Sequence, residues 1–147
     1  MSFVEILFMY VLDTDHLSLI QRNGDQGRRI RVKLSLLEES EVATTIISYE
    51  EQVKGRLGFL GKAKVPQDII SAYQGLQQLA DDYRSIILLP FDAAAFLEHQ
   101  KLRKCYPRLG NMDLKIASIV LINNATLLTR NYSDFGKIEG LRLEDWS

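Results

Sequence analysis

The sequence is poor in cysteine and histidine and carries almost no net charge. Its 147 residues include one cysteine and two histidines, and the formal net charge is −1. A single cysteine, Cys105, excludes an internal disulfide framework and a cysteine-rich zinc site, and it is compatible with a reducing cytosol. We interpret Cys105 as a small buried hydrophobic residue. The low charge gives no long-range attraction to nucleic acid or anionic membranes, so a polyanionic partner would have to bind at local basic patches.

The sequence also lacks a long hydrophobic run. The apolar stretch FVEILFMYVL is far shorter than the ~20 residues that a membrane span needs, and Glu5 interrupts it. It has neither the basic segment nor the small-residue cleavage site of a signal peptide. We therefore expect a soluble, cytoplasmic protein with no membrane partner. Residues 1–8 are a candidate N-terminal extension, because Met9 stands just before the first clear strand.

Composition and patterning predict an α/β fold. Hydrophobic residues make up 46% and charged residues 25% of the chain, which is typical of one globular domain with one sizeable core, so a single domain is expected over 1–147. Short apolar strands, such as VATTII at 42–47 and IILLP at 86–90, alternate with segments of helical periodicity. This alternation predicts a mainly parallel sheet of four to five strands with helices on both faces.

Capping residues predict several helix boundaries. A second helix is expected over roughly 27–39 from its apolar spacing. Ser48 is expected to cap the next helix, with Glu51 completing a capping box. Pro66 and Asp92 are expected to open two later helices. The apolar stripe of the helix after Pro66 predicts either a core contact or a dimer surface.

Acidic residues recur beside four predicted strand ends: Asp13 and Asp15, Glu50 and Glu51, Asp113, and Asp134. Taken singly, each acid is explained by its favourable interaction with a helix N-terminus. Taken together, they would converge at the carboxyl edge of the sheet, where open α/β folds bind ligands. Bare carboxylates packed there would repel one another and raise one another's pKa. A divalent cation such as Mg²⁺ or Mn²⁺ removes this penalty, so the pattern predicts a metal site.

The same segments resemble, in order, the motifs of a known family. YVLDTDHLSL is similar to the first motif of PIN-domain ribonucleases, IISYEEQVKG to the second, NMDLKIASIVL to the third, and LLTRNYSDF, followed by GLRLEDW, to the fourth. The resemblance is to the VapC-like toxins of bacterial type II toxin–antitoxin pairs, and it spans Met9 to Trp146. It implies a PIN-like three-layer sandwich, a metal-dependent endoribonuclease, RNA as the substrate and a cognate antitoxin as a partner.

The resemblance also implies residue roles. The implied catalytic acids are Asp13, Glu51, Asp113 and Asp134, and the metal ligands among them are Asp13, Asp113 and Asp134. Asp13 takes the place of the central ligand. Glu51 fits the second motif better than Glu50, since it stands four residues before Gly55, although the register stays open by one residue.

Four residues are expected in secondary roles: Asp15, Glu50, Thr129 and Asn131. Asp15 would support the metal or its water. Thr129 is a candidate to hold a phosphate or a metal-bound water, or it is simply the last residue of a strand. Asn131 stands where many relatives carry an acid, so the resemblance leaves open whether one or two ions bind. We interpret His16 as a partly exposed residue of the first helix.

The implied chemistry is hydrolysis of RNA with Mg²⁺, or Mn²⁺, as the cofactor. A metal lowers the pKa of the water it binds and orients the hydroxide for in-line attack on a phosphodiester. The implied products carry a 5′-phosphate and a 3′-hydroxyl. Of three basic groups, the one best placed to guide the RNA backbone follows the helix of Glu51 and comprises Lys54, Arg56, Lys62 and Lys64, with solvated helix faces as the alternative. A homodimer through the helices around 48–83 is also expected.

The alternative function is a regulatory or RNA-binding PIN-fold module without nuclease activity. Such a module would be free to lose acids, yet this chain keeps a candidate acid at all four places. A receiver-like phospho-acceptor domain is disfavoured, because IILLP leads into Pro90 and TLLT leads into Arg130, where a receiver requires other side chains.

Overall fold

The computed structural model describes residues 8–147 and contains a five-stranded parallel sheet. The strands are β1 Tyr10–Leu12, β2 Val42–Thr45, β3 Ile87–Leu89, β4 Thr126–Leu128 and β5 Arg142–Glu144. Their order across the sheet is β3-β2-β1-β4-β5, and every neighbouring pair is parallel. The predicted α/β class with a parallel sheet is therefore confirmed. The candidate extension at residues 1–8 lies, except for Phe8, outside the described residues.

Within residues 8–147 the strands are joined by seven α-helices and one 3-10 turn. The helices are α1 Thr14–Arg22, α2 Asp25–Leu34, α3 Ile46–Lys62, α4 Pro66–Asp82, α5 Ala93–Cys105, α6 Asn111–Ile122 and α7 Tyr132–Phe135, and the turn is Glu39–Glu41. α2 ends before the predicted boundary, because the chain turns at Ser35. The predictions for Pro66 and Asp92 are confirmed: Pro66 opens α4, and the Asp92 carboxylate accepts a hydrogen bond from the Ala95 N–H at 3.0 Å.

The predicted cap of α3 is wrong. The helix begins at Ile46, and β2 correspondingly ends at Thr45. Thr45 is the capping residue, since its hydroxyl accepts a hydrogen bond from the Ser48 N–H at 3.1 Å. Ser48 and Glu51 therefore both lie inside the helix, and Glu51 is available for contacts across the sheet edge.

Alternate residues of the central strands face opposite layers of helices. Val11 and Leu127 pack in a core with residues of α5 and α6, whereas Leu12 and Leu128 pack in a second core with residues of α1 and α2. All four side chains are buried. This alternation is the two-residue period of a β-strand, and coverage of both faces is what an all-parallel sheet requires. Trp146, after β5, closes the second core.

One expectation about burial is not met, and the alternatives left open for the stripe of α4 receive different support along the helix. Cys105 is exposed rather than buried, because it is the last residue of α5 and the chain turns away from the core at Tyr106. On α4, Ile69 and Tyr73 of the apolar stripe are exposed, whereas Leu79 is buried. None of the helices within residues 8–147 is long and apolar enough to cross a membrane.

The strand order changes direction at β1, with β2 and β3 on one side and β4 and β5 on the other. The chain segments that follow β1 and β4 therefore leave the sheet from adjacent strand ends. Such a switch point opens a crevice at the carboxyl edge of the sheet. Asp13, directly after β1, donates its backbone N–H to the Leu128 carbonyl at 3.1 Å, so the pairing of the two strands continues to the rim of this crevice.

Candidate active site

Asp13 lies at the junction of β1 and α1 and is 5% exposed. Its backbone is extended, and its side-chain Oδ1 accepts a hydrogen bond from the His16 N–H at 2.7 Å, which caps α1. One oxygen of this carboxylate is thereby fixed on the protein side. The residue still lines a cavity at the sheet edge, so its second oxygen is available for other contacts.

Glu51 faces the same edge from α3. Its Oε1 accepts a hydrogen bond from the Thr14 hydroxyl at 2.8 Å, and Thr14 also shares a hydrogen bond with Ser48 Oγ at 3.0 Å. These contacts join the first turn of α1 to α3. Glu50 lies outside the cavity and pairs with Lys54 at 3.0 Å on the helix surface. The structure thus places Glu51, rather than Glu50, at the edge where Asp13 lies.

Asp113 enters from the first turn of α6. Burial raises the pKa of this carboxyl, and the carboxylates of Glu51, Asp134 and Asp13 raise it further. Each of these causes disfavours the ionised form. The other three predicted catalytic acids therefore lie close enough to Asp113 to disfavour its ionised form.

Asp134 is held by the short helix α7. Asn131 caps this helix, accepting a hydrogen bond from the Asp134 N–H at 3.2 Å, and its Nδ2 donates to Asp134 Oδ2, also at 3.2 Å. Thr129 is fully buried and follows β4, and its Oγ1 accepts a hydrogen bond from the Asn131 N–H at 2.9 Å. Thr129 and Asn131 thus orient the segment that carries Asp134.

The cavity at this edge has a volume of about 300 Å³. Its polar lining comprises Asp13, Thr14, Asp15, Ser18, Arg22, Glu51, Asp113 and Asn131, and Ile116 and Phe135 complete it. Asp134 lies close enough to act on Asp113 electrostatically but does not line the cavity itself. Three of the four predicted catalytic acids therefore share one cavity, and the fourth adjoins it.

Asp15 has a different environment from Asp13. Its two carboxylate oxygens accept hydrogen bonds from Arg130 Nε and Nη2 at 2.7 and 2.8 Å. These hydrogen bonds are the main reason why the pKa of Asp15 is lowered. The bidentate contact ties the loop after β4 to the start of α1 and balances the charge of Asp15 within the chain.

The basic group after Glu51 does not surround the cavity. Lys54 pairs with Glu50, and Arg56 lines a different, larger cavity. Lys62 ends α3 about 16 Å along the helix axis from Glu51, at 1.5 Å per residue. Lys64 is exposed beyond the end of that helix.

The cationic side chain that does line the acidic cavity is Arg22, which the sequence reasoning did not single out. Thr14, Ser18 and Arg22 are spaced by four residues along α1 and all three line the cavity. Residues four apart on a helix lie on one face. This spacing was the available signal for Arg22, since it follows directly from the placement of Asp13 at the helix start.

His16 is fully buried, so the expectation of partial exposure is wrong. The C-terminal residues cover it: the backbone N–H of Trp146 donates a hydrogen bond to His16 Nε2 at 3.2 Å. Asp145 Oδ1 lies 3.6 Å from the same nitrogen. The sequence could not show this contact, because it joins residues at opposite ends of the chain.

The oxygen donors of the cavity fit a hard divalent cation. Asp13, Glu51 and Asp113 supply carboxylates, and within the described part of the chain none of them forms an ion pair with a lysine or an arginine. Burial raises the pKa of Asp113, and the carboxylates of Glu51, Asp134 and Asp13 raise it further. A cation bound between the carboxylates would relieve their repulsion, and carboxylate oxygens are donors that Mg²⁺ and Mn²⁺ accept.

A second grouping is less suited to a metal ion. Single ligand atoms of Asp13, Asp15 and His16 lie within 4.8 Å of one another, a spacing at which one ion could contact all three. However, both oxygens of Asp15 already accept hydrogen bonds from Arg130, and His16 Nε2 already accepts one from Trp146. Among the described residues, the side of Asp13 that lines the cavity with Glu51 and Asp113 is free of such contacts.

Comparison with known proteins agrees with this arrangement. No protein-family model matches the sequence. The chain is 29% identical over 143 residues to Ribonuclease VapC1 of Haemophilus influenzae (strain R2866), a match that covers 95% of this chain and 98% of that protein. The chain also matches Ribonuclease VapC2 of Rickettsia felis over a shorter segment, with 50% identity over 38 residues. This match covers 26% of this chain and 28% of that protein.

Solved structures share the fold. A chain of VapBC-1 from nontypeable Haemophilus influenzae superposes with a TM-score of 0.76 at 24% identity, covering 95% of this chain and 98% of that one. A chain of VapBC2 from Rickettsia felis, solved bound to a DNA fragment from its promoter, gives a TM-score of 0.75 at 26% identity, with coverages of 95% and 100%. The protein is thus a homologue of the VapC ribonucleases and has the PIN-domain fold of the VapBC structures.

Proposed function

We propose that this protein is a divalent-metal-dependent endoribonuclease and the toxin of a type II toxin–antitoxin pair. The observation that carries the proposal is the convergence of Asp13, Glu51 and Asp113 on one cavity at the switch point of the sheet, with Asp134 beside it. The name of the relatives, Ribonuclease VapC, supports the same reaction. A cytoplasmic location, where RNA substrates are present, accords with this activity.

In this proposal Asp13 and Asp113, which line the cavity, hold Mg²⁺ or Mn²⁺ together with Asp134 beside it, and Glu51 is the fourth catalytic acid. When bound, the cation supplies Lewis acidity for hydrolysis of a phosphodiester by water. The chain contributes a fixed set of carboxylates: Thr14 holds Glu51 through a 2.8 Å hydrogen bond, and Asn131 holds Asp134. Because these side chains are positioned by hydrogen bonds within the protein, little reorganisation accompanies substrate binding.

We propose that Arg22 receives a phosphate of the RNA backbone. Its guanidinium lines the acidic cavity, and among the described residues it has no ion-pair partner within salt-bridge distance. A polyanion approaching four carboxylates is repelled unless a positive charge compensates, and arginine binds phosphate oxygens in a bidentate geometry. Asp15 is left to organise the loop of Arg130 rather than to contact the metal.

Cleavage of RNA by the purified protein tests the proposal. We expect cleavage with Mg²⁺ or Mn²⁺ that EDTA abolishes, and loss of cleavage in Asp13→Asn. Asparagine retains a side-chain oxygen for the cap of α1, so this variant is expected to fold. The matched control is Glu50→Gln, which removes an acid that pairs with Lys54 outside the cavity and is expected to keep its activity.

Absence of cleavage with either metal would favour the alternative, a PIN-fold module without nuclease activity. Cleavage that persists in EDTA or in Asp13→Asn would contradict the assignment of the site.

We further propose a cognate antitoxin as a partner. The structures that share this fold are described as VapBC complexes, one of them bound to promoter DNA, which supports a partner of the same kind. The test is co-purification of the protein with the product of the adjacent upstream gene. The antitoxin is expected to form a stable complex and to suppress RNA cleavage, and failure to do either would remove this part of the proposal.

A homodimer through α3 and α4 is proposed from their exposed apolar side chains, which include Phe59, Ile70 and Tyr73. Light scattering coupled to size-exclusion chromatography is expected to give the mass of two chains. Ile70→Lys is expected to shift the protein towards the mass of one chain, and an unchanged dimer would place the interface elsewhere.

A further inference from the structure

His16 is a buried polar side chain with an unused hydrogen-bonding atom. The side chain is 0% exposed. Its Nδ1 is buried and has no hydrogen-bond partner among the described residues. Asp13 Oδ1 lies 3.6 Å from this nitrogen. A fully buried, unpartnered imidazole nitrogen costs free energy, so its position beside a proposed metal ligand calls for a physical reason.

The other ring nitrogen determines where the proton of the imidazole lies. His16 Nε2 accepts a hydrogen bond from the backbone N–H of Trp146 at 3.2 Å. A neutral imidazole has one nitrogen that accepts and one that donates. A neutral imidazole whose Nε2 accepts this bond carries its proton on Nδ1, the nitrogen that faces Asp13 Oδ1 at 3.6 Å. A nitrogen that carries a proton is not a metal ligand, so this assignment also separates His16 from the metal-binding groups.

The Trp146 N–H is held in place from several sides. The indole ring of Trp146 packs on Tyr10 of β1 with ring centroids 4.8 Å apart, and Lys33 lies over the indole at 5.9 Å. The backbone carbonyl of Ser147 accepts a hydrogen bond from Arg29 Nε at 2.9 Å. The C-terminal residues therefore pack on β1 and α2. This packing fixes the position of the Trp146 N–H, which donates to His16 Nε2.

The two oxygens of Asp13 have different surroundings. Oδ1 accepts the α1 cap from the His16 N–H at 2.7 Å and also faces the His16 ring. Among the described residues Oδ1 is the Asp13 oxygen that accepts a hydrogen bond, and Asp13 also lines the acidic cavity. One residue, His16, thus contacts Asp13 Oδ1 with both its backbone and its ring and leaves the other oxygen for the cavity.

We propose that His16 is a positioning residue for Asp13: its Nδ1–H, set by the Trp146 backbone, orients the Asp13 carboxylate so that Oδ2 faces the cation. This role rests on the proposed function, because it concerns the metal ligand of that site. It makes the C-terminal residues 145–147 part of the support of the active site, although they contribute no group to the cavity.

The tautomer of His16 is the first test and needs no metal or substrate. Long-range ¹H–¹⁵N correlation spectra of the ¹⁵N-labelled full chain distinguish a proton on Nδ1 from one on Nε2. The chain has two histidines, and His99→Gln assigns the signals. We expect a ring proton on Nδ1 of His16 and none on Nε2. A proton on Nε2, alone or together with one on Nδ1, would overturn the proposal.

The second test measures Mn²⁺ affinity by calorimetry in the wild type, His16→Leu and His16→Asn. Leucine fills the buried site without a donor, so Mn²⁺ affinity is expected to fall about 10- to 100-fold, the usual effect of changing a residue that lies behind a metal ligand. Asparagine offers an N–H donor near the position of Nδ1 and is expected to recover most of the affinity. RNA cleavage by His16→Leu is expected to approach the wild-type rate at saturating Mn²⁺, because the lesion is in metal binding.

Wild-type Mn²⁺ affinity in a folded His16→Leu would contradict the positioning role while leaving the proposed function intact. No Mn²⁺ binding by the wild type would instead overturn the proposed function, and with it this role of His16. If His16→Leu fails to fold, the tautomer measurement on the wild-type protein still decides the question.

Discussion

Two cavities of this molecule differ both in size and in the chemistry of their walls. The larger, about 980 Å³, lies among α1 to α4 and is lined by apolar side chains such as Leu34 and Phe59 together with charges of both signs. The smaller, about 300 Å³, lies at the carboxyl edge of the sheet and brings carboxylates from α1, α3 and α6 together. The larger cavity also carries acids, Glu38, Glu39, Asp81 and Asp82, so neither its volume nor its number of acids separates it from the smaller one.

The difference lies in how the acids are compensated. In the larger cavity, Asp81 lies 3.4 Å from Arg84, and Arg31 and Arg56 belong to the same wall. In the smaller cavity, the pKa of Asp113 is raised by burial and by the carboxylates around it. Neighbouring acids that raise the pKa of Asp113 at a switch point indicate a site for a cation, whereas an acid beside an arginine, such as Asp81 with Arg84 or Asp15 with Arg130, is already balanced.

The largest expected effect is the loss of RNA cleavage in Asp113→Asn. Removing one of the proposed metal ligands is expected to lower the cleavage rate by at least about 100-fold, since even residues behind the ligands account for 10- to 100-fold. The measurement is the initial rate on a labelled RNA with Mn²⁺. Asp81→Asn, the same change in the larger cavity, is the matched control and is expected to retain the wild-type rate. Equal losses in the two variants would abolish the distinction between the cavities.

A smaller effect on RNA cleavage is expected from removing the positive charge of Arg22, which lines the acidic cavity. Arg22→Gln is expected to raise the KM for RNA about 10-fold, the scale of one lost hydrogen bond to a charged group, with a smaller change in kcat. Steady-state kinetics over a range of RNA concentrations separates the two parameters. Arg84→Gln is the control, because Arg84 precedes β3 and so lies at the opposite edge of the sheet. An unchanged KM in Arg22→Gln would show that RNA reaches the acids by another route.

A third effect concerns stability without metal. The pKa of Asp113 is raised above 3.8, so the folded state favours the protonated form. At neutral pH the ionised carboxylate therefore lowers the free energy of unfolding, and this penalty fades as the pH falls towards 3.8. Asp113→Asn in EDTA is expected to have a higher urea midpoint than the wild type at pH 7, with the gain shrinking at lower pH. Saturating Mn²⁺ is expected to stabilise the wild type selectively, because it binds only the folded state.

Urea unfolding at several pH values checks this expectation. A lower midpoint for Asp113→Asn at pH 7 in EDTA would mean that the acids of the cavity do not repel one another as described. Asp81→Asn serves again as the reference, because its carboxylate is already balanced by Arg84.

The smallest effect on RNA cleavage is expected from a substitution in the larger cavity. Phe59→Ala shortens a side chain that lines this cavity and is itself 53% exposed. The cleavage rate and the Mn²⁺ affinity are expected to stay within about twofold of the wild type, since half-exposed side chains contribute little to a distant site. A loss comparable with that of Asp113→Asn would show that the two cavities are coupled.

The parallel sheet and the approximate places of the acids could be predicted from the sequence. Apolar strands in alternation with helices specify the class of fold, and the ends of parallel strands meet at one edge, so Asp13 and Asp113 were expected near each other. The choice between Glu50 and Glu51 depends on the direction of α3, and the structure places Glu50 with Lys54 and Glu51 with Thr14. A shift of one residue on a helix is about 100°, which a sequence pattern alone does not resolve.

Contacts between segments far apart in the chain could not be predicted from the sequence. Asp15 and Arg130 are separated by 115 residues, and His16 and Trp146 by 130. Their pairing depends on the order of the strands, which local patterns do not encode. The start of α3 was missed for a local reason: Thr45 and Ser48 both suit an N-cap, and only the backbone shows that Thr45 accepts the hydrogen bond from Ser48.

Direct Mn²⁺ binding tests the central claim that the acids of the smaller cavity act together as a cation site. Calorimetric titration of the metal-free protein is expected to show saturable binding in the wild type and in Asp81→Asn, and binding weakened at least about 10-fold in Asp113→Asn. Identical Mn²⁺ affinities in the wild type and in a folded Asp113→Asn would contradict it.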